Sequence, residues 1–422
     1  MLALCLLLVS SAASAYVQQK SRSYVESAFF DAEDLGFEML RCDPRRLRGE
    51  GNFNPSLAVL PVPLTLAGGA VGKFAAAYRH RDGSCGLLKK ESRRLSQASS
   101  FAILDENFQE VAEVTNADGS VWFFDHTDAR LESDAKNWGD RILVTATRYK
   151  HKGHELIGIW SARWLRFYVV DGHRVVVSGQ PVVHSDVRGN EIWREGKNFG
   201  VLYRGGQEPF QLVYWLTAGR LDLRRGLPPL PTQARSDNSA QITLETPLPK
   251  MKPITVTFRD SAFVMRNKTL SNNGSPIALS NGLLLGIGHF HTNTAAPYDL
   301  GKEATRGTTK YGNTYLHAFL LYERDSPYAH CATSRPFCFP AIDDPRKCDI
   351  IQFVMSIMRL PAANDTLLIS YGINDCEGAT VEITEQQILD YIYSSRVEKK
   401  NSLIENTQPG FVDTHNPACL FS

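Results

Sequence analysis

The feature that most restricts this chain is a succession of short apolar runs, rich in β-branched and aromatic residues and each ended by Gly, Asp, Asn or Pro. They read FAAAY over 74–78, SVWFF over 120–124 and RILVTAT over 141–147. LRFYVVDGHRVVV follows over 165–177, with a turn at Asp171-Gly172. Further runs occupy 210–216, 254–258, 283–290, 315–322 and 351–358. The last, 367–383, breaks at Tyr371-Gly372 and resumes after Asn374-Asp375. Runs of this length between turn formers are strands. No series of long helical periods alternates with them, which argues against a doubly wound α/β domain. One helix is predicted near the end, where Thr384 caps, Gln387 stands at the capping-box position and Ile388, Leu389, Tyr391 and Ile392 form the apolar stripe. The Pro- and Arg-rich segment 221–235 reads as a long connection. At 422 residues and 43% hydrophobic content the chain can bury one large β domain or two ordinary ones. Strand periodicity alone leaves a sandwich-containing multidomain protein and a propeller both open.

Charge removes one class of function. Forty-six basic and 45 acidic side chains leave a net charge of +1 and no long run of one sign. Backbone recognition of nucleic acid needs a concentrated positive surface, so no nucleic-acid partner is expected. The N-terminus, MLALCLLLVSSAASAYVQQK, is an apolar run ending in Ala13-Ser14-Ala15, which reads as a secretory signal over 1–15. A truncated signal anchor is the lesser alternative, and no later window is long and apolar enough to span a membrane. Sequons at Asn267, Asn273 and Asn364 suit a glycosylating lumen, so the expected location is the secretory route, in the Golgi lumen or outside the cell. Of eight cysteines, Cys5 falls in the signal. The spacings of Cys42, Cys85, Cys331, Cys338, Cys348 and Cys376 do not resemble a zinc knuckle, and in an oxidising compartment they are disulfide candidates, with Cys419 left over.

Several motifs carry residues able to do chemistry. In HTDARLES, 126–133, Asp128 and Arg130 stand two positions apart and face the same way on an extended strand. A surface ion pair is the plain reading; the functional one puts Asp128 in a cavity as a proton-transfer group that Arg130 orients. In GNFNPSL, 51–57, Asn54-Pro55 is either a turn or part of a site, and Arg79 emerges just beyond the FAAAY strand. Lys197 and Asn198, within WREGKNFGVLYRG, are donors suited to sugar oxygens or a diphosphate if they sit at a cavity rim. His289 and His317 are candidates for hydrogen bonding to substrate, since no matched set of three metal ligands is apparent. Neither metal nor cofactor is expected. The Tyr371-Gly372 break frees a strand end from which Asp375 can point toward the same cavity.

Taken in order, these motifs resemble the five-bladed β-propeller carbohydrate-active enzymes, nearest to the β-mannoside phosphorylases and related β-1,2-mannosyltransferases. Asn54-Pro55 resembles the Asn-Pro of the first blade, and Tyr78-Arg79 the Tyr-Arg that ends the following strand. Thr127-Asp128-Ala129-Arg130 resembles the Glu-Asp-Pro-Arg or Glu-Asp-Ala-Arg segment carrying the catalytic aspartate, with Thr127 in place of the usual Glu. Gly196-Lys197-Asn198-Phe199 is similar to the Lys-containing segment of the middle blade. Tyr371-Gly372-Ile373-Asn374-Asp375 is similar to the Tyr-Gly-x-x-Asp of the last. The resemblance runs from about 51 to 383. It implies an all-β, five-bladed propeller over 46–397 with a C-terminal helix, preceded by an extension over 16–45 and followed by an extended tail over 398–422. It implies inversion at an anomeric centre with Asp128 handling the proton. Arg79, Arg130 and Lys197 would neutralise phosphate, while Asn54, Asn198, His289, His317, Tyr371 and Asp375 would position the sugar. The expected partners are an oligosaccharide or glycoconjugate and a nucleotide sugar or phosphate. Transfer of a sugar, mannose among the candidates, to a glycan acceptor is favoured. Hydrolysis, phosphorolysis and non-catalytic glycan binding are the alternatives.

Overall fold

The computed structural model of the protein describes residues 29–30, 38–48, 52–80, 98–152, 155–185, 194–195, 198–202, 211–216, 221–225, 240–243, 255–259, 265–293, 313–325 and 328–394. The fold is all-β and propeller-like, built from up-and-down antiparallel sheets. The first meander takes Asn52–Thr65, Val71–His80, Ser99–Leu104 and Glu110–Thr115 in order; the second takes Thr127–Ser133, Ile142–Lys152, Glu155–Val170 and Arg174–Ser185. Their outer strands meet in parallel, Val175 opposite Val114 and Val176 opposite Thr115. Gly200–Leu202, Gln211–Leu216 and Leu221–Arg225 form a third sheet. Residues 221–225, expected as connection, are therefore strand: Leu221 and Leu223 pair with Leu216 and Val213, and this apolar alternation outweighs the Pro-rich sequence after them.

A fourth sheet orders Ser271–Asn272, Leu283–Asn293, Asn313–Glu323 and His330–Thr333. The last orders Gln352–Leu360, Ala363–Ile373 and Glu377–Thr384, and takes Arg45–Arg46 as its fourth strand. A strand from the start of the chain thus completes the final sheet, tying first to last. The expected helix runs Glu385–Ser394, with the capping box formed: Gln387 N–H donates to Thr384 Oγ1 and Thr384 N–H to Gln387 Oε1. Ile388 and Ile392 bury its stripe against the last sheet.

The leading strands of these sheets converge. Asn52–Thr65 packs against both Thr127–Ser133 and Gln352–Leu360, and a core of Leu57, Phe74, Tyr78 and Leu368 seals the first sheet to the last. Where inner strands meet edge to edge, hydroxyls stand in for ladder partners. Leu131 N–H donates to Ser56 Oγ at 2.9 Å, Leu57 N–H to Ser356 Oγ at 2.9 Å and Val201 N–H to Ser275 Oγ at 2.7 Å. Each bond crosses from one sheet to its neighbour, and a buried N–H without such a partner costs about 1–3 kcal/mol.

Four of the expected cysteines are in disulfides: Cys338 pairs with Cys348, and Cys331 and Cys376 are also bonded. Cys42 is a correction. It is a free, half-buried thiol that donates to the Leu40 carbonyl, and burial, with Asp43 nearby, pushes its pKa up to about 12. Cys85 and the signal segment lie outside the described residues. Among the described residues no helix is long and apolar enough to cross a membrane, and no group of three or more His, Cys, Asp or Glu is arranged to hold a metal ion.

Candidate active site at the axis

The inner segments begin alike. Asn54, Asp128 and Asn198 open three successive sheets in the left-handed region, with φ of 51°, 53° and 63°, and Gly274 opens the next at φ 140°. Asn and Asp tolerate this conformation better than other side-chain-bearing residues. The left-handed kink interrupts the ladder: the register slips between Phe53 and Ser56 in the first strand, and opposite Asp128 between Thr145 and Thr147. It brings the Asn54 side chain to Asp128 and the Asn198 side chain to Arg130. Asn54, read from the sequence as either a turn or a site residue, thus lies inside a strand and at the site.

Asp128 is the focus. Asn54 Nδ2 donates to Asp128 Oδ1 at 2.9 Å, and Arg79 Nη1 donates to Oδ1 and Oδ2 at 3.2 and 3.4 Å. Donors from two remote segments therefore hold one carboxylate, whose side chain is 10% exposed beside an Arg79 that is 20% exposed. The face of the Phe53 ring lies 5.3 Å from the Arg79 guanidinium and fixes its approach.

Arg130 corrects one expectation. It lies beneath this pair, buried, rather than facing an incoming group. Its Nε donates to the Asn273 carbonyl at 3.0 Å, its Nη1 to the Asp128 carbonyl and its Nη2 to Asn198 Oδ1, each at 3.4 Å, and it stacks over Phe353. Burial lowers its pKa, opposed by the charges of Asp128 and Glu132. One cation thereby binds several sheets together, and Asn198 Oδ1 accepts one of its hydrogen bonds.

Asn273 is a second correction. Its Nδ2 donates to the Val354 carbonyl at 3.2 Å, its Oδ1 meets His289 Nδ1, and the residue is 1% exposed. Held this way it has no room for a glycan. Asn364 is exposed and stays open to one; Asn267 lies on the Met265–Thr269 strand, its side chain outside the described ones. His289 packs on Tyr315 and Phe353 beside Arg130, so it braces the site through Asn273. His317 is a core residue, 0% exposed between Phe337 and Phe339, with burial pushing its pKa down to about 3. Tyr371 is also core: it stacks on Phe339 at 4.6 Å, is 0% exposed, and burial raises its pKa. Both were expected at the sugar, but their strands turn those side chains inward. Lys197 lies outside the described residues.

The Tyr371-Gly372 break has a steric reason. A Cβ at Gly372 would stand 1.9 Å from Asn54 Oδ1 and 2.9 Å from Asn54 N. Only glycine lets the last sheet close on the first while Asn54 reaches Asp128. Asn374 and Asp375 follow in left-handed conformations. Ile351 N–H donates to Asn374 Oδ1 at 3.0 Å and Asn374 Nδ2 to Asp349 Oδ1 at 3.3 Å, while Asp375 is half-buried at the turn. Asp128 and the 371–375 segment thus flank Asn54 on two sides.

Two features escape the sequence reading. One is the repeated kink, N-P-S-L over 54–57, D-A-R-L over 128–131 and N-F-G-V over 198–201, whose polar–x–small-or-Arg–aliphatic pattern was the available signal. The other is Glu132, two residues past Arg130, which accepts from Ser275 Oγ. Burial raises its pKa to about 7, against the Ser275 hydrogen bond and the Arg130 charge.

No family model matches the chain, and no curated protein matches it. Solved structures are similar in trace. A mannose phosphorylase from Leishmania mexicana in complex with phosphate is 14% identical at TM-score 0.38, covering 88% of this chain and 94% of that one. A GDP-Man-dependent mannosyltransferase from the same organism is 12% identical at 0.38, covering 81% and 89%. A β-1,2-mannobiose phosphorylase from Listeria innocua is 13% identical at 0.36, covering 87% and 97%. The class that fold and site define here is an all-β, propeller-like protein with a charge-paired aspartate where its inner strands meet.

Proposed function

We propose that this protein is a carbohydrate-active enzyme of the secretory route, acting at an anomeric centre by inverting single displacement, on a five-bladed propeller. Transfer from an activated donor, with mannose among the candidate sugars, to a glycan acceptor is the preferred reaction. The observation that supports it is Asp128, held at a partly exposed edge by Arg79 and Asn54. An ionised carboxylate accepts hydrogen bonds only, so its natural partner is the acceptor hydroxyl: that oxygen bonds to the anomeric carbon as the donor's phosphate departs with the bonding pair, and the hydroxyl proton passes to Asp128. Arg79 is placed to meet the phosphate of a donor or of an attacking nucleophile, and fixed charge of this kind lowers a barrier without reorganising. Asp375 and Asn54 position sugar hydroxyls.

The test is to incubate purified protein with mannosides, with and without phosphate, and with a panel of nucleotide sugars, beside Asp128→Asn. Nucleotide release that requires an acceptor supports transfer. Phosphate-dependent or phosphate-independent cleavage reassigns the reaction to phosphorolysis or hydrolysis. Oligosaccharide binding without turnover on any donor makes the protein a glycan-binding module. Turnover unchanged in Asp128→Asn removes that residue from the chemistry.

A further inference from the structure

The strand Thr127–Ser133 carries Asp128, Arg130 and Glu132 at alternate positions. Alternate residues share a strand face, with Cα atoms about 7 Å apart. Arg130 is thereby flanked by two acids, and both charges act on it. Asp128 pairs with Arg79, whose side chain is 20% exposed. Glu132, farther along the strand, lines a cavity of about 160 Å³ together with Asp134, Trp138, Val201, Leu202 and Arg324 among others.

The Glu132 carboxyl is held in place. Ser275 Oγ accepts from Val201 N–H, which directs its own hydrogen toward Glu132 Oε1. The charged groups around it are Arg130 on its own strand, and Asp134 and Arg324 across the cavity. Asp134 is occupied in capping the short helix Ala135–Trp138, accepting from Asn137 N–H and Nδ2. Resting on the anionic-substrate reading above, we infer that Glu132 is a positioning residue of the axial site, which acts through Arg130 and lets the site hold an anion when it carries a proton and weakens that hold when it does not. With Glu132 neutral, the two cations Arg79 and Arg130 face the single acid Asp128, and the site keeps a net positive charge for the anion. With Glu132 ionised, Arg130 is shared between two carboxylates, and an added negative charge lies about 14 Å from the Asp128 position, an effect on the order of tenfold in affinity at an effective dielectric near 20. The raised Glu132 pKa of about 7 puts this change in the neutral range.

The experiment is calorimetric titration of inorganic sulfate, whose charge is constant over the range, into the full chain from about pH 6 to about pH 8.5. Wild type is expected to weaken by on the order of tenfold across that range, Glu132→Gln to bind with near-constant affinity, and Arg79→Met to lose binding. A second measurement needs no Glu132 variant: repeated near neutral pH in buffers of different ionisation enthalpy, the wild type takes up a fraction of a proton per sulfate bound. Equal pH dependence in wild type and Glu132→Gln, or no proton uptake, overturns the role of Glu132 and leaves the anion site standing. No sulfate binding by the wild type at any pH overturns the anion site and this inference together.

Discussion

At the residue scale, one carboxylate gathers its donors from far along the chain. Asn54 contributes twice, through a side-chain amide and through tolerance of φ 51°. Asn54→Gly separates the two, because glycine keeps the backbone and drops the donor. Stability should fall by about 1.5–3 kcal/mol, the net worth of a hydrogen bond to a charged group. Turnover should fall on the order of a hundredfold if Asp128 is the proton-handling group, since misplaced acid–base partners lose much of their advantage. Chemical unfolding beside steady-state rates checks both. The sequence singled out Asp128, Arg79 and Asn54, which the fold brings together, because polar residues at strand ends stand out against an apolar background. It misled on Tyr371 and His317, because local pattern does not say which face of a strand looks inward. Arg130 misled differently: a cation beside an acid reads as surface chemistry until its burial and its contacts to Asn198 and Asn273 are seen.

At the element scale, the closure of last sheet onto first depends on a bare backbone at Gly372. Gly372→Ala should destabilise by about 1–3 kcal/mol through overpacking and displace Asn54 from Asp128. Gly282→Ala is the comparison, since its added Cβ meets nothing within 4 Å and only its φ of 85° is strained. The expected outcome is activity lost in the first and kept in the second, read by rates on proteins matched for folded fraction. Strands and the capped helix were legible because alternation, turn residues and the Thr384–Gln387 pair are local signals. The Leu221–Arg225 strand was hidden by the prolines that follow it. Cys42 was misassigned because pairing depends on proximity, which spacing does not report.

At the scale of the whole molecule, ionisable groups buried where sheets meet link stability to pH. Asp349 is 2% exposed beneath the Asn374 turn, and its pKa is raised to about 8, first by burial and then by Glu377 and Asp343. Its carboxyl holds a proton more tightly folded than unfolded, so its stabilising contribution is complete below about pH 4 and is lost as pH rises through about 8. Asp349→Asn should flatten that fall, whose slope is at most about 1.4 kcal/mol per pH unit, and leave the variant more stable than wild type above neutral pH. Denaturant unfolding from mildly acid to mildly alkaline pH measures it. The common axis was not legible from any single run, because repeats joined by side-chain hydroxyls rather than by ladders keep only three or four residues in common.

Under the proposed function a sugar is processed against Asp128, beside Arg79. A crystal structure of Asp128→Asn with a bound β-mannoside tests it most directly. A sugar hydroxyl or glycosidic oxygen is expected about 3 Å from residue 128, with Arg79 alongside. A mannoside seated elsewhere, with residue 128 packed against protein and out of its reach, would contradict it.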